Sequence, residues 1–228
     1  MANDRINADF SQRVVMATND MPWIPSPQAG VERRMLDRIG GEVARATSLV
    51  RYAAASTFPA HDHAFGEEFL VLDGVFSDEH GDYPPLTYVR NPPLSRHSPR
   101  TAPGCTILVK LRQMALSEKT RLVIDSTTAN WQPAEQAGLS ILPLFQDAGE
   151  NVALERLDAG AALAESDCPG GEEIFILSGD LADASGAYGE GTWIRNPHRV
   201  RRRLGSTGGA TYWVKRGHLR PGAVTGTQ

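Results

Sequence analysis

The sequence predicts an all-β protein made of two tandem double-stranded β-helix (jelly-roll) barrels, and three observations lead there. The chain repeats itself: EEFLVLDGVFSDEHGDYPPLTYVRNP (67–92) lies on EEIFILSGDLADASGAYGEGTWIRNP (172–197) without a gap at an offset of 105, with eleven of 26 positions identical. Within each copy the apolar runs are short, rich in Val, Ile, Leu and Phe, and punctuated by turn residues, as in FLVLDG, DEHGDYPP, TYVRNPP and GCTILVKL. That is the pattern of a sandwich or barrel. No long segment with a 3.6-residue period supplies the crossover helices of a parallel sheet.

In chain order, Trp23 aligns with Trp131 at an offset of 108, so the second copy has lost three residues before the next anchor. The segment VERRMLDRIG (31–40) is the single helical candidate and precedes the first strands. SLVRY (48–52) then aligns with ALERL (153–157), and GCTILVKLRQ (104–113) with GATYWVKRGH (209–218), both at the offset of 105. The stretch STTANWQPAEQ joins the copies, which places one domain at 1–128 and a second at 129–228. Barrel or jelly-roll closure answers the exposed-edge problem that such short strands create.

Composition narrows the function. With 41% hydrophobic and 22% charged residues the chain reads as an ordinary globule. A formal charge of −4 gives no general attraction to phosphate backbones or anionic lipid, so nucleic-acid and membrane partners are not expected. The N-terminus has no apolar targeting core and no window is long enough to span a bilayer, so a cytoplasmic location is expected. Cys105 and Cys168 are too few for a disulfide scaffold and form no CxxC pair; both are expected to be small buried or half-buried residues.

One stretch carries chemistry. In HDHAFGEEF (61–69) two histidines and a glutamate interrupt a strand-like run, where each would cost free energy if buried without a partner. On a strand His61 and His63 share a face that Asp62 does not. Glu67 has the same parity, and Gly66 permits the bend that returns its carboxylate toward the imidazoles. His97, 30 residues further along in RNPPLSRHSP, is the candidate fourth ligand from a neighbouring strand. A cation shared by His61, His63, Glu67 and His97 would compensate these buried groups. Mixed nitrogen and oxygen ligation leaves zinc, iron, copper, nickel and manganese open.

HDHAFGEEFLVLDG followed by YVRNPPLSRH resembles the two metal motifs of the cupin superfamily, and specifically the ChrR-type cupin domain, over roughly residues 20–220. The resemblance implies metal ligands at His61, His63, Glu67 and His97 and one divalent transition metal per chain, zinc or iron first among them. Two positions depart from the subgroup pattern: Phe65 and Leu86 stand where glycine is usual. Two functions are implied. One is the regulatory role of ChrR-type domains, which form the C-terminal part of zinc anti-sigma factors responding to oxidative stress, so that the chain would bind or sense a small, oxidised molecule. A sigma factor would then be a protein partner, yet residues 1–60 contain neither the cysteines nor the histidine of the anti-sigma zinc motif. The alternative is an iron(II)-dependent dioxygenase acting on a small enolisable carbonyl or dicarbonyl compound, as in the related acetylacetone-cleaving cupins. A small-molecule ligand is expected in both cases, and a homodimer is compatible with either.

At the offset of 105 the four ligands become Ser166, Cys168, Glu172 and Arg202. Only the carboxylate survives, so no metal is expected in the second copy. Arg202 is expected either to pair with Glu172 in place of a cation or to be solvated. Arg90-Asn91-Pro92 recurs as Arg195-Asn196-Pro197 and is read as a turn with asparagine bonding nearby backbone. HRVRRRL (198–204) lacks interleaved aromatics and is read as a solvated face. Glu68 and Glu173 are read as exterior ion-pair partners, and Phe69, Val71 and Tyr88 as core residues.

Overall fold

The computed structural model describes residues 4–221. They form two compact units, one of residues 4–8 and 22–129, the other of 9–21 and 130–221. Segment 9–21, which the sequence division places in the first domain, is in the second unit because Val14–Ala17 pairs antiparallel with Thr192–Asn196. Leu122–Asp125 pairs in the same way with Thr87–Asn91 of the first unit.

The first unit is built on an antiparallel sheet in the order Arg5–Ile6, Val31–Ile39, Arg45–Tyr52, Cys105–Leu111, Glu67–Gly74, Thr87–Asn91, Leu122–Asp125, with Ile24–Pro25 also on Val31–Ile39. A four-stranded sheet of Gly81–Tyr83, Phe76–Asp78, Arg100–Thr101 and Ser56–Thr57, and a two-stranded pair of Ser95–His97 with His61–His63, complete it. Neither large sheet closes on itself. The core lies between the layers: Val50, Phe69, Val71, Val89, Ile107 and Val109 from the large sheet pack with Phe76 and Tyr83 from the small one. Alternation along Glu67–Gly74 places Glu67, Phe69 and Val71 on this inner face, and so aims Glu67 between the layers.

The second unit repeats the plan with Gln132–Pro133, Leu139–Gln146, Asn151–Leu157, Ala210–Arg216, Glu172–Asp183, Thr192–Asn196 and Val14–Ala17. Its core gathers Ile174, Ile176, Ile194, Tyr212 and Val214 against Leu163, Leu181 and Leu204. One turn shows how closely the copies match. Gly74 (φ 69°) and Gly179 (φ 79°) are both left-handed, and a Cβ at either would lie 1.9 Å from a carbonyl oxygen, of Gly104 and Gly209 respectively.

Two expectations are corrected. VERRMLDRIG is not a helix: Val31–Ile39 is a strand hydrogen-bonded to Arg45–Tyr52 along most of its length. A register shift between Met35 and Asp37 breaks the two-residue alternation and buries Leu36, Asp37 and Arg38 in succession. That bulge is why the apolar residues imitate a helical spacing. Nor are Glu68 and Glu173 exterior. Both are 2% exposed or less. Glu68 accepts hydrogen bonds from Tyr88 Oη (2.6 Å) and Arg90 Nη1 (2.7 Å), while Glu173 lies 2.9 Å from His218 Nε2. Among the described residues no helix is long and apolar enough to cross a membrane.

Candidate metal centre

His61–His63 and Ser95–His97 pair antiparallel with His97 opposite His61 and Ser95 opposite His63. Register and alternation together put three imidazoles on one face. Their ring centroids are 4.8–5.0 Å apart, and their ligand nitrogens all lie within 4.8 Å of one another. Nε2 of His63 is 2.9 Å from Nε2 of His97. Oε2 of Glu67 lies 3.5 Å from the first and 3.6 Å from the second. Gly66 makes the bend into Glu67 at φ 74°, and a Cβ there would lie 2.3 Å from Met114 Sδ. The three histidines singled out in the sequence thus come together, with the Glu67 carboxylate beside His63 and His97, while Asp62 points away into an exposed ion pair with Arg96.

The donor set fits a transition metal. Metal–nitrogen bonds of about 2.1 Å hold adjacent ligand atoms about 3–3.4 Å apart, close to the separations among His63, His97 and Glu67. Burial is the main influence on His63 and holds its pKa below the ordinary histidine value, which favours the neutral ring that coordinates. Burial also opposes charge on His97, but hydrogen bonding to Asp78 and the nearby Glu67 carboxylate outweigh it and raise that pKa.

Asp78, which the sequence reading did not single out, organises the surroundings. Its Oδ2 lies 3.3 Å from His97 Nδ1, and its Oδ1 accepts from Tyr83 Oη and His80 N, both at 2.8 Å. Burial would raise its pKa; these bonds and Arg121 instead hold it at about 2. Arg121 donates to Tyr83 Oη (2.5 Å) and to Asn91 Oδ1 (3.2 Å), and Asn91 Nδ2 donates to Glu67 Oε2 (3.1 Å). Asn91 is therefore not a backbone-capping turn residue; its side chain holds the Glu67 carboxylate. Arg90 faces the other way, its guanidinium shared between Glu68 and Glu118. The repeat held the signal for this network: Asp183, Tyr188, Asn196 and Arg13 reproduce it, with Arg13 bonded to all three of the others.

In the second unit Ser166 and Arg202 form an isolated bridge where the first has His61 and His97. Arg202 donates through Nε to Glu172 Oε1 (2.8 Å) and through Nη2 to Oε2, so the pairing alternative holds. Arg216, which sequence reading missed because its counterpart is Leu111, donates through Nε to Glu172 Oε2 (2.8 Å) and also binds Glu155. Asn196 adds a bond to Glu172 Oε1 (3.3 Å). Both oxygens of this carboxylate are thereby engaged by nitrogen donors. Burial pushes its pKa up, but the two guanidinia prevail and hold it at about 2. Cys105 and Cys168 are buried free thiols, the first raised by burial to about 11. In HRVRRRL, exposed Arg201 and Arg203 alternate with buried Arg202 and Leu204.

A cavity of about 300 Å³ opens beside the first site. His61, exposed at its rim, lines it with His63, Glu67, the apolar side chains of Val50, Val109 and Leu111, and Tyr52, whose pKa burial raises so that the phenol stays neutral.

Among curated proteins, none matches this sequence. The fold is similar to several solved structures. A candidate dioxygenase of Nostoc punctiforme superposes with a TM-score of 0.77 at 16% identity, over 96% of this chain and 87% of that one. Protein Ylba of E. coli gives 0.68 at 14% identity, over 96% of each chain. An oxalate decarboxylase of Bacillus subtilis, described with Mn(II) centres, gives 0.59 at 11% identity over 89% of this chain and 76% of that one. At these identities the likeness is one of fold. The model of the ChrR Cupin-like domain matches twice, at residues 11–115 and 119–220, nearly the whole length. With two such repeats and the histidine cluster in the first, the chain belongs to the ChrR Cupin-like family.

Proposed function

We infer that the first unit holds one divalent transition metal between His61, His63 and His97, with Glu67 alongside, and takes a small oxygen-bearing organic molecule into the adjoining cavity. The observation that carries this reading is the position of His61. Two of the three imidazoles are buried, and the third stands exposed on the cavity rim. A site with one side on a cavity is arranged to admit a ligand, where a purely structural site is enclosed by protein.

The activity that this arrangement supports best is that of an iron(II)-dependent dioxygenase on an enolisable carbonyl compound. The metal would supply a Lewis acid and a redox partner for dioxygen. The chain's own part is to hold the ligand and manage its proton. Glu67, kept in place by Asn91, is the group placed to take a proton from a carbon acid in the cavity. Asp78 fixes the His97 ring through Nδ1. Val50, Val109 and Leu111 present apolar walls on which a small carbon skeleton excludes water. The fold likeness to a candidate dioxygenase agrees with this reading. A regulatory sensor, the role that the resemblance to ChrR-type domains implies, would use the same ligands, with zinc and no turnover. Oxygen consumption on iron-loaded protein with small dicarbonyl compounds separates the two. Uptake abolished by Glu67→Gln supports the oxygenase; a zinc-only protein that consumes no oxygen with any of them supports the sensor.

A further inference from the structure

Arg112 stands at the end of the strand Cys105–Leu111 in the left-handed region, at φ 60°. That conformation is strained for a residue that carries a side chain. Its counterpart at the offset of 105 is Gly217, at φ 92°, and the counterpart of Phe65 is Gly170. In the second unit these two glycines approach so closely that a Cβ on Gly170 would lie 2.5 Å from the Gly217 carbonyl oxygen. The first unit replaces both. The Arg112 guanidinium lies 4.5 Å from the centre of the Phe65 ring, so each substitution supports the other.

Arg112 lines the same cavity as His61, His63 and Glu67. The acidic residues around that cavity have other partners: Glu42 lies 3.3 Å from Arg33, Asp62 lies 3.1 Å from Arg96, and Glu67 faces His63 and His97. Among the described residues no carboxylate is within ion-pair distance of Arg112. A guanidinium held over an aromatic ring by its central carbon keeps N–H donors available for a planar oxyanion, and part of its rotamer entropy is already spent.

We propose that Arg112 anchors a carboxylate of the molecule that enters the cavity, which makes that molecule a small carboxylic acid with a second oxygen function, such as a 2-oxo acid. The orientation of that second function toward the histidines rests on the metal reading above; the anchoring itself does not. A charge-assisted, bidentate contact favours the acid over its neutral amide by about 10- to 100-fold.

The test is calorimetric titration of pyruvate and of pyruvamide into full-length protein, zinc-loaded and metal-free, with metal content measured on each sample. Wild type, Arg112→Lys and Arg112→Gly are compared, glycine being the residue that the second repeat carries at this turn. The expected result is tighter binding of pyruvate than pyruvamide by at least about tenfold. Arg112→Gly should lose that preference while retaining one metal per chain, and Arg112→Lys should keep part of it. Equal affinities in wild type, no binding of either compound, or a preference that survives Arg112→Gly would overturn the proposal. A protein that takes up no metal yet shows an Arg112-dependent preference would defeat the metal reading and leave the anchor standing.

Discussion

Replacing Glu172 with glutamine removes a carboxylate that the Arg202 and Arg216 guanidinia share in the second unit, and the cost can be worked from its titration. The group is fully buried, has an unfolded pKa near 4.5, and is held at about 2 in the fold. A folded pKa below the unfolded one contributes stability that is complete above the unfolded value and is lost as pH falls toward the folded value. The difference is worth about 3 kcal/mol at pH 7, and about half of it remains near pH 3.2. Glu172→Gln should therefore be destabilised by about 3 kcal/mol at neutral pH, consistent with the cost of breaking a buried pair. The deficit should shrink steadily between pH 4.5 and pH 2. Urea unfolding followed by tryptophan fluorescence reads this unit, since Trp131, Trp193 and Trp213 lie in it and only Trp23 in the other. A deficit that stays constant from pH 7 to pH 3 would refute the assignment of Glu172 as a charged partner of Arg202 and Arg216.

Further outcomes follow from the same contacts. Asp78→Asn should weaken metal affinity by about 10- to 100-fold, because it weakens the bond that fixes His97, and chelator competition measures it. Gly179→Ala should lower the thermal midpoint sharply or prevent folding, since its Cβ meets a backbone carbonyl that cannot step aside, whereas Gly160→Ala, with nothing within 4 Å, should pay only for its left-handed φ. Chelation should lower the melting temperature of wild type and leave His63→Ala unchanged, because a bound ion stabilises by mass action, about 4 kcal/mol at a thousandfold excess over Kd.

Much of this molecule was legible in the chain because it is written twice. The offset of 105 predicted matching strands, and Cys105–Leu111 and Ala210–Arg216 fall on it to the residue. The histidines were legible because strand alternation is a local rule. What escaped depends on contacts distant in sequence. The bulge at Met35–Asp37 disguised a strand as a helix. The pairing of Val14–Ala17 with Thr192–Asn196 spans nearly the whole chain and leaves no local pattern. Glu68 and Glu173 follow strand parity correctly, but parity says only which face a side chain takes, and here the outer face is buried and supplied with partners of its own. Arg216 was hidden for a different reason: it compensates a charge on a neighbouring strand, and its counterpart Leu111 carries no polar hint.

Metal content per chain, measured by inductively coupled plasma mass spectrometry on protein purified without added metal or chelator and compared with His97→Ala, tests the centre most directly. One transition-metal ion per chain, lost in the variant, is the expected result. No metal in wild type, an undiminished ion in His97→Ala, or two ions per chain would contradict a single site built on His61, His63, Glu67 and His97.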